Sequence, residues 1–336
     1  MIGKSRDMPT DILEFFRGKK VLITGGRGYL GTNLVSLLRS VECEIIRIDR
    51  SKPTSQLNGG KAEIKDVTAD IRLNDFWGSV IDGVDVVFHF AAQTSVYEAD
   101  ENPVEDFRTN VLPIVQLLEV CKKGNRKPII LFSGTVTEIG LPVYRPVDES
   151  HPDKPITVYD LHKLTAENLL KFYCEQEVVK GAVLRLSNVY GPGPTSSSAD
   201  RGILNLMIRK ALKGEALTLY GKGESLRDYI FVEDVVRAFL AAVTKIENLN
   251  GRHFVIGTGV GHSLKEAFDL VAECVERKTQ RSVKVETVEP PVPQSLINAR
   301  NFVADSRRFC ELTNWKPEYS LREGINRTID FFRESA

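Results

Sequence analysis

The sequence contains few cysteines, carries no excess of charge of either sign and has no long apolar run. Its five cysteines among 336 residues are widely spaced. Because metal and redox sites commonly use CxxC pairs, which are missing here, we predict reduced thiols and no metal centre. The 45 Lys and Arg residues balance the 45 Asp and Glu residues. A chain without net charge has no general attraction to nucleic acid or to an anionic membrane.

No apolar run approaches the roughly 18 residues that a membrane-spanning helix needs. Residues 3–10 are polar and charged, unlike the apolar core of a secretory signal. These absences predict a globular protein of the cytoplasm without a membrane segment. Apolar residues make up 42% of the chain, which is enough for one large core or for two unequal ones.

Short apolar runs rich in β-branched residues alternate with helical stretches in the first part of the chain. The predicted strands are residues 21–24, 44–48, 62–67, 84–90, 129–132 and 182–186. The predicted helices include residues 31–40, 103–123 and 157–177, where apolar residues recur at three- and four-residue intervals. Buried strands joined by helical crossovers predict an α/β fold with a Rossmann-like, doubly wound parallel sheet.

A glycine-rich turn with the sequence TGGRGYLG, residues 24–31, connects the first predicted strand to the first predicted helix. Its glycines let the backbone turn tightly and approach a pyrophosphate, whose charge is bound by N–H groups and by the helix dipole. The predicted contacts are Gly25, Gly28, Tyr29, Leu30 and Gly31. The position of the turn between a strand and a helix therefore predicts a dinucleotide site.

Asp49 stands at the end of the second predicted strand, 18 residues beyond Gly31. A carboxylate at this point accepts hydrogen bonds from the adenosine ribose and repels a 2′-phosphate, so we predict NAD as the cofactor. Arg50 and Lys52 follow directly and keep NADP as an alternative, because cations can accommodate the additional phosphate.

The composition changes at Gly191, where the sequence GPGP opens a loop. We predict an NAD-binding Rossmann domain over residues 18–190, to which residues 225–250 return. A smaller mixed α/β lobe covers residues 191–224 and 251–330. Within this second lobe we predict strands at 217–220, 253–256 and 283–285 and a stiff proline connector at 290–293.

Tyr159 and Lys163 lie four residues apart near the start of a predicted helix, so their side chains project from one face. An ammonium group beside a phenol favours the phenolate and lowers the pKa of the tyrosine from about 10. Such a phenolate is a base for a substrate hydroxyl that loses hydride from its carbon. A solvated helix face produces the same spacing, so the pair alone indicates little.

Together the glycine turn and the Tyr-Lys pair make the chain resemble the extended short-chain dehydrogenase/reductase family, in particular its nucleotide-sugar epimerases and dehydratases. The resemblance covers nearly the whole chain. It implies a homodimer formed by the helices at 103–123 and 157–177. It also implies further NAD contacts at Asp70, Ile71, Ala91, Ala92, Gln93, Asn110 and Ser133, in addition to Tyr159 and Lys163.

The resemblance also implies which residues bind a nucleotide-diphosphate sugar. Asn188 falls in the segment that links the two lobes, near the diphosphate. Arg227 would clamp the same diphosphate, since a guanidinium suits phosphate oxygens; the alternative is a surface ion pair with Asp228 or Glu224. Arg300 lies in a late substrate segment and would contact phosphate or ribose.

Thr135 takes the place of the hydroxyl residue that orients the reacting sugar oxygen in this family. In the 4,6-dehydratases and decarboxylases acidic residues follow directly, but here Val136 and Thr137 do. Glu138 is one place late, and on an extended strand its side chain would point to the opposite face. With Thr135, Tyr159 and Lys163 as the catalytic residues, we therefore predict epimerisation, most readily at C4, through a transient 4-keto intermediate.

Two alternatives remain open. A related enzyme could be an NDP-4-keto-hexose reductase or a 4,6-dehydratase, which uses the same residues with a different outcome. A protein of another class could keep the fold as a non-catalytic dinucleotide sensor. His162, inside the Tyr-Lys motif, is predicted to be a helix-face residue and not a second base.

Overall fold

The computed structural model describes residues 9–53, 59–73, 76–124, 127–194, 202–289 and 300–334. The strands are β1 (Lys20–Thr24), β2 (Glu44–Asp49), β3 (Glu63–Thr68), β4 (Val86–His89), β5 (Ile129–Thr135), β6 (Lys180–Leu186), β7 (Asn188–Tyr190), β8 (Leu217–Tyr220), β9 (Leu226–Phe231), β10 (Arg252–Ile256), β11 (Gly261–Ser263) and β12 (Val285–Val288).

The helices alternate with these strands along most of the chain. They are α1 (Thr10–Phe15), α2 (Tyr29–Leu38), α3 (Phe76–Val80), α4 (Val96–Glu101), α5 (Pro103–Asn110), α6 (Leu112–Lys123), α7 (Val158–Glu175), α8 (Ile203–Leu212), α9 (Val232–Thr244), α10 (Ile246–Leu249), α11 (Leu264–Thr279), α12 (Arg307–Thr313) and α13 (Leu321–Glu334), with a 3-10 helix at Val136–Ile139.

A seven-stranded sheet with the order β10-β6-β5-β4-β1-β2-β3 forms the centre of the fold. Every pairing in it is parallel. The predicted doubly wound sheet is therefore confirmed. Its strand order reverses between β1 and β4, and in such sheets ligands bind outside the carboxyl ends of the strands at this switch point.

Both faces of the sheet are covered by helices, which explains the continuous apolar runs of its strands. In β1, Val21 and Ile23 pack in one apolar cluster with α2 and α9. Leu22, which points to the opposite face, packs in a second cluster with α3, α6 and α7. The alternation within a single strand thus places α7, with its Tyr-Lys motif, on the face opposite α2.

The strand Arg252–Ile256 pairs with β6 at the edge of the central sheet. Its assignment to the second lobe was wrong. Phe254, Val255 and Ile256 are all buried, as expected for a strand covered on both faces. Helix α9, which is buried nearly all round, packs on the central sheet and returns the chain to it.

The second, smaller lobe is built from two small sheets and three helices. β9 pairs in parallel with β7 and antiparallel with β11, and β12 pairs with β8. A separate apolar cluster joins β8 and β9 to α8, α11 and α13. The strand at 217–220 forms as predicted, the one predicted at 283–285 is displaced to Val285–Val288, and the predicted connector at 290–293 lies outside the described residues.

The stretch 103–123 forms two helices, α5 and α6, where one was predicted. Pro113 explains the break, because its ring excludes an N–H donor and clashes with the preceding helical turn. Among the described residues, no helix is both long enough and apolar enough to cross a membrane.

Candidate active site

The glycine turn forms a close-packed cradle between β1 and α2. Gly25 has a φ of +62°, and a Cβ atom at Gly31 would lie 2.4 Å from the carbonyl oxygen of Gly25. The first hydrogen bond of α2 runs from Thr32 N–H to the Gly28 carbonyl. The N–H groups of Tyr29, Leu30 and Gly31 therefore have no partner within the helix. This cradle fits the pyrophosphate of NAD.

The hydroxyl of Thr24 fastens the turn to the end of β4. It accepts hydrogen bonds from the N–H groups of Phe90 and Ala91, both at 3.1 Å. Its own proton is then left for Nδ1 of His89, also at 3.1 Å. His89 is fully buried, and burial, followed by the charge of Lys163, lowers its pKa to about 3. Thr24 belongs to the predicted turn, but the roles of its hydroxyl and of His89 were not predicted.

Asp49 lies beside the cradle, where the adenosine ribose was predicted. One carboxylate oxygen accepts from the N–H of Arg27 at 3.2 Å, and the other accepts from the N–H and hydroxyl of Ser51. The guanidinium of Arg27 is paired with Asp66 at 2.8 Å. Asp66 also pairs with Arg47 at 2.7 Å, so two guanidinium groups share one carboxylate, and the group here that agrees with NAD and its uncharged 2′-hydroxyl is the Asp49 carboxylate.

Asp70 and Ile71 lie just after β3 and are two of the predicted NAD contacts. The carboxylate of Asp70 accepts hydrogen bonds from Nε and the backbone N–H of Arg72, and these bonds lower its pKa. Ile71 is buried. The structure therefore supplies an ionised acid and an apolar side chain at this edge of the site.

The segment after β4 is held by the side-chain amide of Asn110. Its oxygen accepts from the N–H of Gln93, and its nitrogen donates to the Gln93 carbonyl, each at 3.0 Å. The same nitrogen donates to Asp106 at 2.9 Å, whose other oxygen lies 2.7 Å from Nδ1 of His162. His162 is thus a structural link between α7 and the loop of Ala91, Ala92 and Gln93, and it lies on the helix face as predicted.

The structure brings the three predicted catalytic residues to one end of β5. Tyr159 and Lys163 lie on the first two turns of α7 and are almost completely buried. Nζ of Lys163 lies 4.0 Å from the centre of the Phe132 ring. Thr135 ends β5, and its hydroxyl lies 3.0 Å from that of Thr137. The hydroxyl of Ser133, two residues earlier, donates to the His89 carbonyl at 3.3 Å.

Glu138 does not lie on an extended strand, as we had assumed, but on the 3-10 helix after β5. It closes a capping box, in which its Oε1 accepts from the N–H of Thr135 at 2.9 Å. Its Oε2 lies 3.0 Å from Nε of the buried Arg185. Burial, the charge of Glu167 and a hydrogen bond to it raise the pKa of Glu138 well above the usual value, against the opposing effect of Arg185. The side chain therefore faces the interior and supports the backbone of Thr135.

A cleft of about 640 Å³ is lined by Leu226, Arg300, Asn301, Val303 and residues 141–146. Arg227 donates to the carbonyl groups of Leu226 and Arg300. Asn188 begins β7 in register with Tyr229 of β9, two residues beyond Arg227. The three predicted diphosphate residues are thus provided by two adjacent strands and the segment at Arg300.

Tyr29 and Asp228, the neighbour of Arg227, make contacts that the sequence did not indicate. The hydroxyl of Tyr29 donates to the Gly191 carbonyl at 2.8 Å, so the side chain joins the cradle to the segment after β7. Asp228 accepts hydrogen bonds from Thr258, Gly259 and the N–H of Ala304. The Asp228 carboxylate therefore stabilises loops of the second lobe.

A sheet of this topology that keeps a Tyr and a Lys of one helix near its dinucleotide cradle is the arrangement of the short-chain dehydrogenase/reductase class of enzymes. Residues 21–257 match the NAD dependent epimerase/dehydratase family, and the chain belongs to that family. A Methanocaldococcus jannaschii protein to which UDP-glucose 4-epimerase activity is attributed is 32% identical over 317 residues, which cover 94% of this chain and 99% of that protein.

Two solved structures show the same fold with ligands of the predicted classes. The Thermotoga maritima UDP-glucose 4-epimerase with UDP-glucose has a TM-score of 0.81 at 29% identity, over 94% of this chain and 99% of the other. The Thermus thermophilus UDP-glucose 4-epimerase with NAD has a TM-score of 0.80 at 29% identity, over 94% and 100%. The predicted family, fold and cofactor NAD are confirmed, as is the enzyme class, an NAD-dependent nucleotide-sugar epimerase.

We expect Gly31→Ala to abolish NAD binding, because its Cβ would lie 2.4 Å from the Gly25 carbonyl oxygen and 2.6 Å from Gly26 Cα. The matched control is Gly78→Ala in α3, where a Cβ meets nothing within 4 Å. Alanine in this helix should be neutral or stabilise by about 0.5–1 kcal/mol. NAD released from each denatured protein and the melting temperature are the measurements. A Gly31→Ala protein with full NAD content would contradict the cradle.

We expect His89 to make the fold sensitive to acid. Its pKa of about 3 in the folded chain lies below its ordinary value, so between pH 6.5 and 3 only the unfolded chain binds the proton, and stability falls as the pH falls. His89→Asn should reduce the slope of unfolding free energy against pH by up to about 1.4 kcal/mol per unit. Urea unfolding between pH 7 and 4 measures it, and equal slopes would rule out the assignment.

Proposed function

We propose that this protein interconverts UDP-hexoses by epimerisation at C4, with NAD held on the turn at residues 24–31. The observation that supports this most strongly is the burial of Tyr159 and Lys163 side by side on α7, next to the strand end that carries Thr135. These are the groups that abstraction of a hydroxyl proton requires. The M. jannaschii and T. maritima relatives agree with UDP as the nucleotide.

In the proposed mechanism Tyr159 accepts the proton of the sugar 4-hydroxyl, and Thr135 donates a hydrogen bond that orients the same oxygen. Lys163 favours the phenolate through its charge. NAD, when bound, supplies reversible hydride transfer at C4. The transient 4-keto sugar then turns within the cleft and recovers hydride on its other face, while Tyr159 returns the proton.

The cleft supplies the binding energy for the diphosphate. Arg227, Arg300 and Asn188 are the proposed contacts, and two guanidinium groups near each other match the two negative phosphates. Because the hexose carries no charge, its ring can rotate while these residues retain the nucleotide. We propose the same three residues as the reason why the intermediate stays bound.

A reductase or a 4,6-dehydratase has less support than an epimerase. The residues that follow Thr135 in the 3-10 helix, Val136 and Thr137, have no acid group for the additional proton transfers of a dehydratase. Glu138, the first acid, is engaged with Thr135 N–H and Arg185. A non-catalytic sensor would have no need of a buried Tyr-Lys pair.

We expect the purified protein to convert UDP-glucose and UDP-galactose into each other without added cofactor, with nucleotide sugars separated by chromatography. Tyr159→Phe should lose about 100-fold or more in kcat and keep its NAD, because general base catalysis contributes about 10²–10⁴-fold. Tyr173→Phe, on the same helix, is the control and should retain activity. No epimer from any UDP-hexose, or net NADH consumption with a 4-keto sugar, would contradict the proposal.

We propose that two chains associate through α5 and α7. Four large apolar side chains on these helices are exposed to solvent, namely Val104, Phe107, Leu161 and Phe172. Leu161 and Phe172 are 11 residues apart on α7, which places them on one face about three turns apart.

We further propose a cytoplasmic location, since the described cysteines are all free and the net charge is zero.

Sedimentation should show a dimer of the wild type, and Leu161→Glu with Phe172→Glu should give a folded monomer, because two carboxylates cannot be buried unpaired in an interface. Val260→Glu is the matched control, since Val260 is exposed to the same extent but lies outside these helices. A monomeric wild type, or a double variant that still dimerises, would disprove this interface.

A further inference from the structure

A buried ion pair connects the catalytic helix to the substrate cleft. Asp160 follows Tyr159 directly on α7 and is completely buried. Its Oδ2 lies 3.3 Å from Nη2 of Arg300, which is 140 residues away in the chain and lines the cleft. Asp160 follows Tyr159 in the sequence, so the pair joins the first turn of α7 to the segment at Arg300.

A second guanidinium lies close to the pair. Arg227 donates to the carbonyl oxygen of Arg300, whose guanidinium has Asp160 as an ion-pair partner. Burial lowers the pKa of both arginines, and for Arg227 the charge of Arg300 lowers it further. An anion in the cleft would relieve this repulsion, and a diphosphate carries suitable charge.

The contact is also incomplete as an ion pair. Arginine and carboxylate commonly form two parallel hydrogen bonds, but here one nitrogen faces one oxygen. Within the described part of the chain, Oδ1 of Asp160 and Nε of Arg300 are buried without a hydrogen-bond partner. Unsatisfied buried polar atoms cost about 1–3 kcal/mol each. A bound ligand that supplied hydrogen bonds to this pair would recover that cost.

We propose that Asp160 is a positioning residue that holds the Arg300 guanidinium in place for the substrate diphosphate. The inference rests on the proposed function for its ligand, a nucleoside diphosphate linked to a sugar. Asp160 touches Arg300 and not the reacting atoms. Its loss should therefore affect substrate binding more than the chemical step.

The test compares Asp160→Asn, Arg300→Met and the double variant. Titration with UDP alone measures diphosphate binding without turnover, and kcat, KM and NAD content are measured on the same preparations. We expect each single variant to bind UDP about 10- to 100-fold more weakly, as for the loss of a charged hydrogen bond, with a matching rise in KM. We expect kcat to change less than threefold and NAD content to be unchanged.

The double variant is decisive, because Asp160 can act through Arg300 only if the two residues form one unit. Its loss of UDP affinity should equal that of Arg300→Met, whereas independent residues would give additive losses. Asp269→Asn is the matched control: it removes an exposed ion pair with Lys265 at 2.6 Å on α11 and should leave UDP affinity unchanged.

Unchanged UDP affinity and KM in Asp160→Asn would overturn the inference and show that the pair serves stability alone, even with a lower melting temperature. If Asp160→Asn does not fold, the comparison of Arg300→Lys with Arg300→Met replaces it. The charge retained in Arg300→Lys should give a UDP affinity between those of the wild type and Arg300→Met. Equal UDP affinities of the wild type and both variants would overturn the inference. A wild type that binds UDP but epimerises no sugar refutes the proposed function and leaves the UDP comparison valid.

Discussion

The close approach of the glycine turn to the end of β4 is the constraint on which the rest of the site depends. No Cβ fits at Gly25 or Gly31, and the Thr24 hydroxyl joins β1 to the backbone of Phe90 and Ala91. This contact lies at the point where the strand order reverses. It therefore decides where the cradle opens and which loop borders the cofactor.

A second constraint is the neutral state of His89. Since the Thr24 hydroxyl accepts two N–H groups, it must give its proton to the His89 ring. That ring stacks at 5.8 Å on Phe132, whose ring also contacts the Lys163 ammonium. A charged imidazole would repel Lys163 across this short distance. The low pKa of His89 is thus tied to the location of Lys163, the lysine proposed for catalysis.

Behind Thr135 a single guanidinium organises the elements that support it. Arg185 of β6 lies within 3.0 Å of Glu138, 2.7 Å of Glu167 and 2.6 Å of Asp153. Burial works against ionisation of Glu167, but hydrogen bonds and charge from Arg185 lower its pKa to about 2. Burial and Glu167 raise the pKa of Glu138. Of the two acids beside Arg185, Glu167 is therefore the ionised one and Glu138 the neutral hydrogen-bond partner. Removal of Arg185 would leave Glu167 with Lys171 and His253 as its remaining partners and would take from Glu138 the cation at 3.0 Å.

How far the sequence could predict the structure depends on how local each feature is. The turn at 24–31 and the Tyr159-Lys163 pair are contained within one strand-helix junction and one helix, so short motifs describe them completely. The alternation of six predicted strands with helices predicted the parallel sheet. The strand β10 was assigned to the wrong lobe, because strand partners are not encoded locally. The links of Thr24 to His89 and of His162 to Asp106 span 65 and 56 residues, and no periodicity indicates them.

The departures from the family pattern share a location that only the structure reveals. Glu138, which the sequence analysis placed on the opposite face of a strand, and Asp160, which it did not single out, are each buried beside a predicted catalytic residue. Glu138 hydrogen bonds to the backbone of Thr135, and Asp160 pairs with Arg300 of the cleft. An acid can be accommodated at such positions only with a cation or donor supplied from a distant part of the chain. Arg185 and Arg300 fulfil this condition, so the acids beside the predicted residues Thr135 and Tyr159 are both held by long-range pairs that no local motif could indicate.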